Sequence, residues 1–528
     1  LLIILVAWFT FISHAAAAAP DPRITSVYPA AIPAGVRSEV IVRGAGLGEV
    51  RGLWSPSGIQ ANFLSVVPEA DGPEPDRTIV RFEVLPSPQL CGIQPIRLIT
   101  ARGLTNELAF TVSEHPVVLE NALQRPLDRF PVIASGSIER HGEVDRYPIS
   151  AGRGEVLTFS VEGAGGLDPV LALVEQSPSW FNPARWNVLS ENDEPLHYPG
   201  LPHGARITWA FSEPGEYMVE IRSFSGQGNP DYTYVLKIDR GFGEPPSFRP
   251  LAGAGWQERS FVRSLNLDRE AALLARGGRR VSSFPPQLFE GRLRQAAECH
   301  RFRLPLEAPS RIAIEIETPE ATLPRFNPVL RLLDADGSEI ATNVYTKLNN
   351  NGLYMMKMIQ AKTILEVPRA GEYALEIRDV TTDVIADDFA YRVLVRPQIA
   401  HIGRAEIVPE LVNVQAGESK TLTVNLDYEE GFSGLVFAEV DGLPAGVTAT
   451  VGLAKPVDKP PLPNGGRVER YFADAFAATI VLTAAADAPA SDRPVTVRVQ
   501  LRTASGRLAA TPILVREIPL MIVGRGGT

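Results

Sequence analysis

PGEYMVEIR at residues 214–222 and AGEYALEIR at residues 370–378 are two copies of one segment. Their cores, Gly215-Glu216-Tyr217 and Gly371-Glu372-Tyr373, lie 156 residues apart. Two further pairs keep the same order. LDPVL at residues 167–171 matches FNPVL at 326–330, 159 residues on, and EVDRYPI at 143–149 matches ECHRFRL at 298–304, 155 residues on. Three blocks in one order at a nearly constant offset mark a duplicated folding unit. Two copies are too few for a solenoid.

Short alternating runs surround these blocks: SEVIVR (38–43), GEVLTFSV (154–161), RIAIEIE (311–317), TLTVNLD (421–427) and PVTVRVQL (494–501). Every second residue is apolar, which turns one face to a core and one to water. The spacing predicts an all-β chain of tandem β-sandwiches, Ig-like and jelly-roll-like, with very little helix. A helical period occurs in LNLDREAALLA (265–275), with Asp268 placed to cap it and Gly277-Gly278 to end it. Proline-rich breaks divide the chain. We read a leader at 1–19, sandwiches at 20–113, 134–240, 287–397 and 398–528, and a linker carrying the short helix at 241–286.

The chain has 528 residues, enough for several cores, with 44 Gly and 45 Pro. Its 45% hydrophobic and 21% charged composition is that of a globular protein. A net charge of −10 argues against nucleic acid, whose phosphates need a basic surface. Residues 1–12 are apolar and five alanines follow, Ala15 to Ala19, as in a secretory signal with cleavage after Ala18. The run lacks Met and a positive region, so the sequence is expected to begin inside that leader. The mature chain is then expected to be exported and to hold no membrane span. Cys91 and Cys299 form no Cys-x-x-Cys and fall in different units. A bridge would need a folded-back chain, so a free pair is expected.

The repeated blocks resemble the bacterial pre-peptidase C-terminal (PPC) domain. That family shows a Gly, an Asp-x-Asp-x-Tyr/Phe strand, a Leu-Asp-Pro-x-Leu turn, an Asn-Asp-Asp loop and a late Gly-x-Tyr. The first copy has Asp145-Arg146-Tyr147, Leu167-Asp168-Pro169, Asn192-Asp193-Glu194 and Gly215-Glu216-Tyr217, departing at Val144 and Glu194. The second departs further: His300 stands for Asp145, Asn327 for Asp168, and Asn343 alone remains of the acidic loop. The resemblance covers about 210 residues. The first unit is similar to an IPT/TIG-type Ig-like domain through ITSVYPAAIPAG (24–35), RGAGL (43–47), Leu53-Trp54 and PIRLITARGLTNELAFTV (95–112). That order of units resembles secreted proteins of planctomycete-type bacteria. The last unit resembles Ig-like modules of exported bacterial proteins through GFSGLVFAEVDGLPAGVTA (431–449).

Some relatives of the repeat bind calcium. If the family turn brings its loops together, Asp168, Asn192, Asp193 and Glu194 would offer hard oxygens to that cation. The alternative is that these residues only make turns. Asp334-Ala335-Asp336-Gly337 starts like a calcium loop but lacks the downstream Glu, and reads as a hairpin turn. GAGLG (44–48) follows a strand but precedes no helix, so it reads as a turn and not as an anion cradle. No Gly-x-Ser-x-Gly or His-Glu-x-x-His occurs, and seven histidines are scattered. No catalytic residue is therefore assigned. Aromatics crowd the first copy: Trp180, Phe181, Trp186, Tyr198 and Trp209. We read 177–202 as a long loop whose Trp180, Trp186 and Tyr198 either contact a ligand or cover the sandwich. Residues 345–357, with Tyr345 and Tyr354, read as a second loop of that kind. Trp209 alternates with Ile207 and reads as core.

These readings converge on a non-catalytic exported protein that binds, adheres or acts as a scaffold. Polysaccharide or protein at the cell surface or in the periplasm would be its partner. An accessory region of a secreted hydrolase is the alternative, since the repeat family commonly flanks protease domains. A structural spacer or layer subunit is a third.

Overall fold

The computed structural model describes residues 21–69, 76–120, 125–176, 186–193, 204–241, 284, 286–295, 297–317, 328–348, 355–359, 362–380, 389–457, 474–505, 508–509 and 513–524. Strands are the only regular elements named among them, and they form four sandwiches. The leader-like run and the 265–275 helical pattern lie outside the described residues.

In the first sandwich, one sheet has the order Arg23–Tyr28, Ser38–Ala45, Arg77–Leu85, Gln60–Pro68. The facing sheet orders Ala31–Pro33, Leu108–Ser113, Gly92–Thr100, Val50–Trp54. Alternation sets the core. Val40 and Val42 point in from one strand and meet Val80, Phe82, Ile96, Leu98 and Phe110. The fourth sandwich is built likewise around Val424, Leu426, Ile480, Val499 and Ile518.

The second and third sandwiches share one topology. In the second, the sheet Val144–Ala151, Gly215–Ser223, Pro169–Gln176, Trp186–Asn192 faces Val132–Ser137, Thr233–Arg240, Val156–Gly163, Gly204–Ala210. In the third, Cys299–Leu306, Gly371–Asp379, Pro328–Leu333, Glu339–Thr342 faces Gln287–Arg292, Ala390–Pro397, Ser310–Glu317, Lys362–Val367. These eight strands follow the same order in both, and the second sandwich adds Val117–Leu119 beside Val132–Ser137. A buried tyrosine explains one repeated glycine. Tyr234 and Tyr391 cross over Gly136 and Gly291, where a Cβ would overlap the tyrosine hydroxyl.

Two stretches read as loops contain strands. Trp186–Asn192 is an edge strand on Pro169–Gln176. Val344–Leu348 pairs with Met355–Ile359 as a hairpin. Trp209 is half-buried at the rim of the second core rather than inside it. Asp334 does close a turn: its Oδ1 accepts the Asp336 and Ser338 N–H groups at 3.0 and 2.9 Å.

The sandwiches dock on one another. Buried Arg77 of the first grips Asp231 of the second with two hydrogen bonds of 2.8 Å. Ser26 and Thr25 hydroxyls add bonds of 2.8 and 2.9 Å to the same carboxylate. Burial works against that charge, but the Arg77, Ser26 and Thr25 bonds more than offset it and hold Asp231 below the usual carboxylate range. Between the third and fourth, fully buried Arg396 bonds Glu315 at 2.9 Å and Glu430 at 2.9 Å. The chain also folds back. Asn413 of the fourth sandwich accepts the Leu104 N–H at 2.8 Å and donates to the Leu104 carbonyl at 2.7 Å. Ile99, Leu104 and Met521 bury a small apolar cluster beside this contact, with Trp54 against it. Even so, Cys91 and Cys299 are both free and exposed.

Candidate functional site

The two copies differ on the outer face of the sheet that ends in Trp186–Asn192. On Pro169–Gln176, Leu171 and Leu173 point into the core, and Ala172 and Val174 take the other face, where they too are buried. Register then builds a row across the sheet: Met218 beside Val174, and Val174 beside Val188. Trp186 stands next along the same edge, opposite Gln176. Trp186 is 41% exposed and Val188 60%, while Met218 is half-buried. Ion pairs flank the row, Arg146–Glu220 and Arg222–Glu191, each 2.8 Å. An apolar ledge bordered by planar charged groups can stack a flat apolar surface and bond polar groups at its rim.

The third sandwich presents the same strands without the ledge. Its register sets Arg331 at the place of Ala172, Glu339 at Val188 and Ala374 at Met218. Arg331 pairs with Glu339 at 2.6 Å and Glu376 at 3.2 Å, and Arg301 reaches Glu376 at 3.4 Å. Charges thus pair along that face, while Leu333 keeps an apolar residue at the place of Val174. Of the aromatic candidates, Trp186 is the one whose side chain is described. Trp180, Phe181, Tyr198 and Tyr354 lie outside the described residues, and Tyr345 is placed only as a backbone position in its hairpin. Val188 and Met218 escaped the sequence reading, which followed aromatics. Met218 alternates with core-facing Val219, but a bulge blurs that pattern at Val188, and only the register sets both beside Val174.

The calcium candidates gather only in part. Asn192 pairs with Leu171, which puts exposed Asp193 at the sheet end where half-buried Asp168 precedes its strand. The Asp168 carbonyl accepts the Phe224 N–H at 2.8 Å, and Glu194 lies outside the described residues. In the third sandwich Asn343 holds the place of Asn192 and is buried. Its amide donates to the Pro328 carbonyl at 2.9 Å and accepts the Leu330 N–H at 2.8 Å. Both ends of that side chain close the sheet end, so Asn343 is a backbone clamp and not a cation ligand. The first copy keeps two carboxylates, Asp168 and Asp193, at one sheet end.

His401, Glu429 and Glu430 also have the make-up of a metal site, with ligand atoms within 4.8 Å of one another. Their charges are already met. Glu430 is engaged by Arg396, Lys362 and the Ile399 N–H, and Lys362 also pairs with Glu429. Burial opposes the Glu430 charge, yet Arg396 and Lys362 hold its carboxyl at about 2. His401 Nδ1 donates to the Ile399 carbonyl at 2.7 Å, and burial pushes the ring down to about 3, so it is neutral. Two cations and a neutral imidazole make this a buried ion network that ties the third sandwich to the fourth.

No protein-family model matches the chain, and no curated protein matches it. Among solved structures, it is similar to the pre-peptidase C-terminal domain of a Bacillus anthracis collagenase. Identity is 17% over 22% of this chain and 99% of that one, with a TM-score of 0.17. It is similar to an N-terminal CBM22 tandem domain from Paenibacillus barcinonensis at 9% identity over 72% and 99% of the two chains, TM-score 0.13. The S-layer protein SbsC aligns at 10% identity over 96% of this chain and 55% of its own, TM-score 0.15. At these scores the all-β fold stands on its own sheets.

Proposed function

We propose that this is a non-catalytic exported protein that holds a polysaccharide against the outer face of its second sandwich. The observation that carries the reading is the ledge of exposed Trp186 and Val188 beside half-buried Met218, bounded by Arg146–Glu220 and Arg222–Glu191, where the sister copy sets Glu339 at the place of Val188 and Ala374 at the place of Met218. A duplicated fold needs both outer faces soluble. Tryptophan and valine grouped on one exposed face offer a ligand apolar surface to cover. Sugar rings offer such a partner: apolar C–H faces for Trp186 and hydroxyl rims for the flanking charges. The leader-like run at 1–19 supports export to the surface or periplasm.

A scaffold role is the second reading, favoured by the docking of the sandwiches. The Arg77–Asp231, Arg396–Glu430 and Leu104–Asn413 contacts join all four into a folded-back body, a property suited to display and not to a slack tether. Retention of the folded full chain on a panel of immobilised polysaccharides and cell-wall fractions tests the first reading. Binding to none of them, together with ordered self-assembly by electron microscopy, would favour the second.

A further inference from the structure

Gln60–Pro68 is an edge of the first sandwich's four-stranded sheet. One side bonds to Arg77–Leu85, and the other pairs with no strand among the described residues. Its nine residues, QANFLSVVP, include no Asp, Glu, Lys or Arg. Phe63, Leu64 and Val67 are 44%, 50% and 44% exposed. The Phe63 ring stands edge-to-face with core Phe82, centroids 6.0 Å apart, so the apolar core reaches the surface at this edge. Unpaired backbone groups beside exposed apolar side chains are a template for a further strand.

Elsewhere the molecule blunts its edges with charge. Among the described residues, every other edge strand longer than four residues carries a charged side chain. Examples are Arg51 on Val50–Trp54, Arg146 on Val144–Ala151, Glu191 on Trp186–Asn192, Glu290 on Gln287–Arg292 and Lys362 on Lys362–Val367. Such charges discourage the addition of a strand. Gln60–Pro68 lacks that protection along its whole length.

We propose that Gln60–Pro68 is a self-association surface, which pairs antiparallel with the same strand of a second copy of this chain. It lies on the first sandwich and is independent of the ledge on the second. A net charge of −10 sets two copies against each other wherever charged faces meet, and this strand adds no like charge to the contact. The strand also complements itself. A two-fold axis at Leu64 sets Leu64 against Leu64, Phe63 against Ser65 and Val67 against Ala61, so large apolar side chains meet apolar or small ones. Backbone bonds then join the two four-stranded sheets edge to edge. A bulge between Phe63 and Ser65 interrupts the strand at the axis and leaves a short run on either side. One interrupted strand pair buries little surface, so the dimer is weak and reversible.

Sedimentation velocity of the full chain, from micromolar to submillimolar concentration, tests the pairing. Reductant keeps the exposed Cys91 and Cys299 from cross-linking, and melting curves show that each variant folds. Wild type is expected to pass from monomer to dimer over that range. Leu64→Lys alone and Leu64→Glu alone are each expected to dimerise about tenfold more weakly, because like charges then face each other across the axis. An equimolar mixture of the two is expected to recover the dimer. Amide exchange needs no variant: wild-type protection across residues 61–67 is expected to rise with concentration. Wild type that stays monomeric, or a Leu64→Lys variant that dimerises as wild type does, would overturn the proposal. So would exchange at 61–67 that ignores concentration. A mixture as weak as its components would also overturn it and leave the edge to a strand of another protein.

Discussion

Asp168 precedes one strand and Asp193 follows another, yet the antiparallel pairing of Leu171 with Asn192 carries both to one sheet end. In the third sandwich Asn343, at the place of Asn192, turns its amide onto the backbone of Pro328 and Leu330. We expect the first copy to gain stability from calcium and the second not to. Chelator should lower the melting temperature of the full chain, and Asp193→Ala should melt identically with and without chelator. Wild-type melting curves that coincide in calcium and in chelator would remove the site. Residues also set the joints. Removing one partner of a buried pair such as Arg77–Asp231 leaves a stranded charge, at a cost of about 3–5 kcal/mol.

At the scale of strands, legibility followed alternation. SEVIVR and GEVLTFSV declare one buried face, and both are sandwich strands with Val40, Val42, Phe159 and Val161 in the core. The repeat was legible too, because GEYMVEIR and GEYALEIR bury the same positions, Tyr217 and Tyr373 onward. Trp186–Asn192 was missed for a physical reason. It is an edge strand with a bulge opposite Leu173 and Val174, so its exposure does not alternate cleanly, and Pro178 and Pro183 punctuate the approach. The ledge on this strand was half legible: Trp186 was named, while Val188 and Met218 gain meaning only from the register that sets them beside Val174.

At the scale of the molecule, sequence separation hides the architecture. Arg77 and Asp231 are 154 residues apart, and Leu104 and Asn413 are 309 apart. Neither contact has a local signature. The Asn413 amide makes a two-point bond to one backbone residue, Leu104, beside the Ile99–Leu104–Met521 cluster. Asn413→Ala would leave a buried N–H and carbonyl unmet, costing about 1–3 kcal/mol. We expect it to release the first sandwich from the fourth while each stays folded. Small-angle scattering should then report a larger radius of gyration with unchanged circular dichroism. An unchanged scattering curve would mean the fold-back is held by other contacts.

The account rests most on the apolar ledge of the second sandwich. Its direct measurement is the affinity of full-length wild type and Trp186→Ala for the polysaccharide that retains the chain, with melting curves of both. We predict that Trp186→Ala binds about tenfold or more weakly and melts as wild type does. Equal affinity for the two proteins would contradict the assignment of this face as the binding surface.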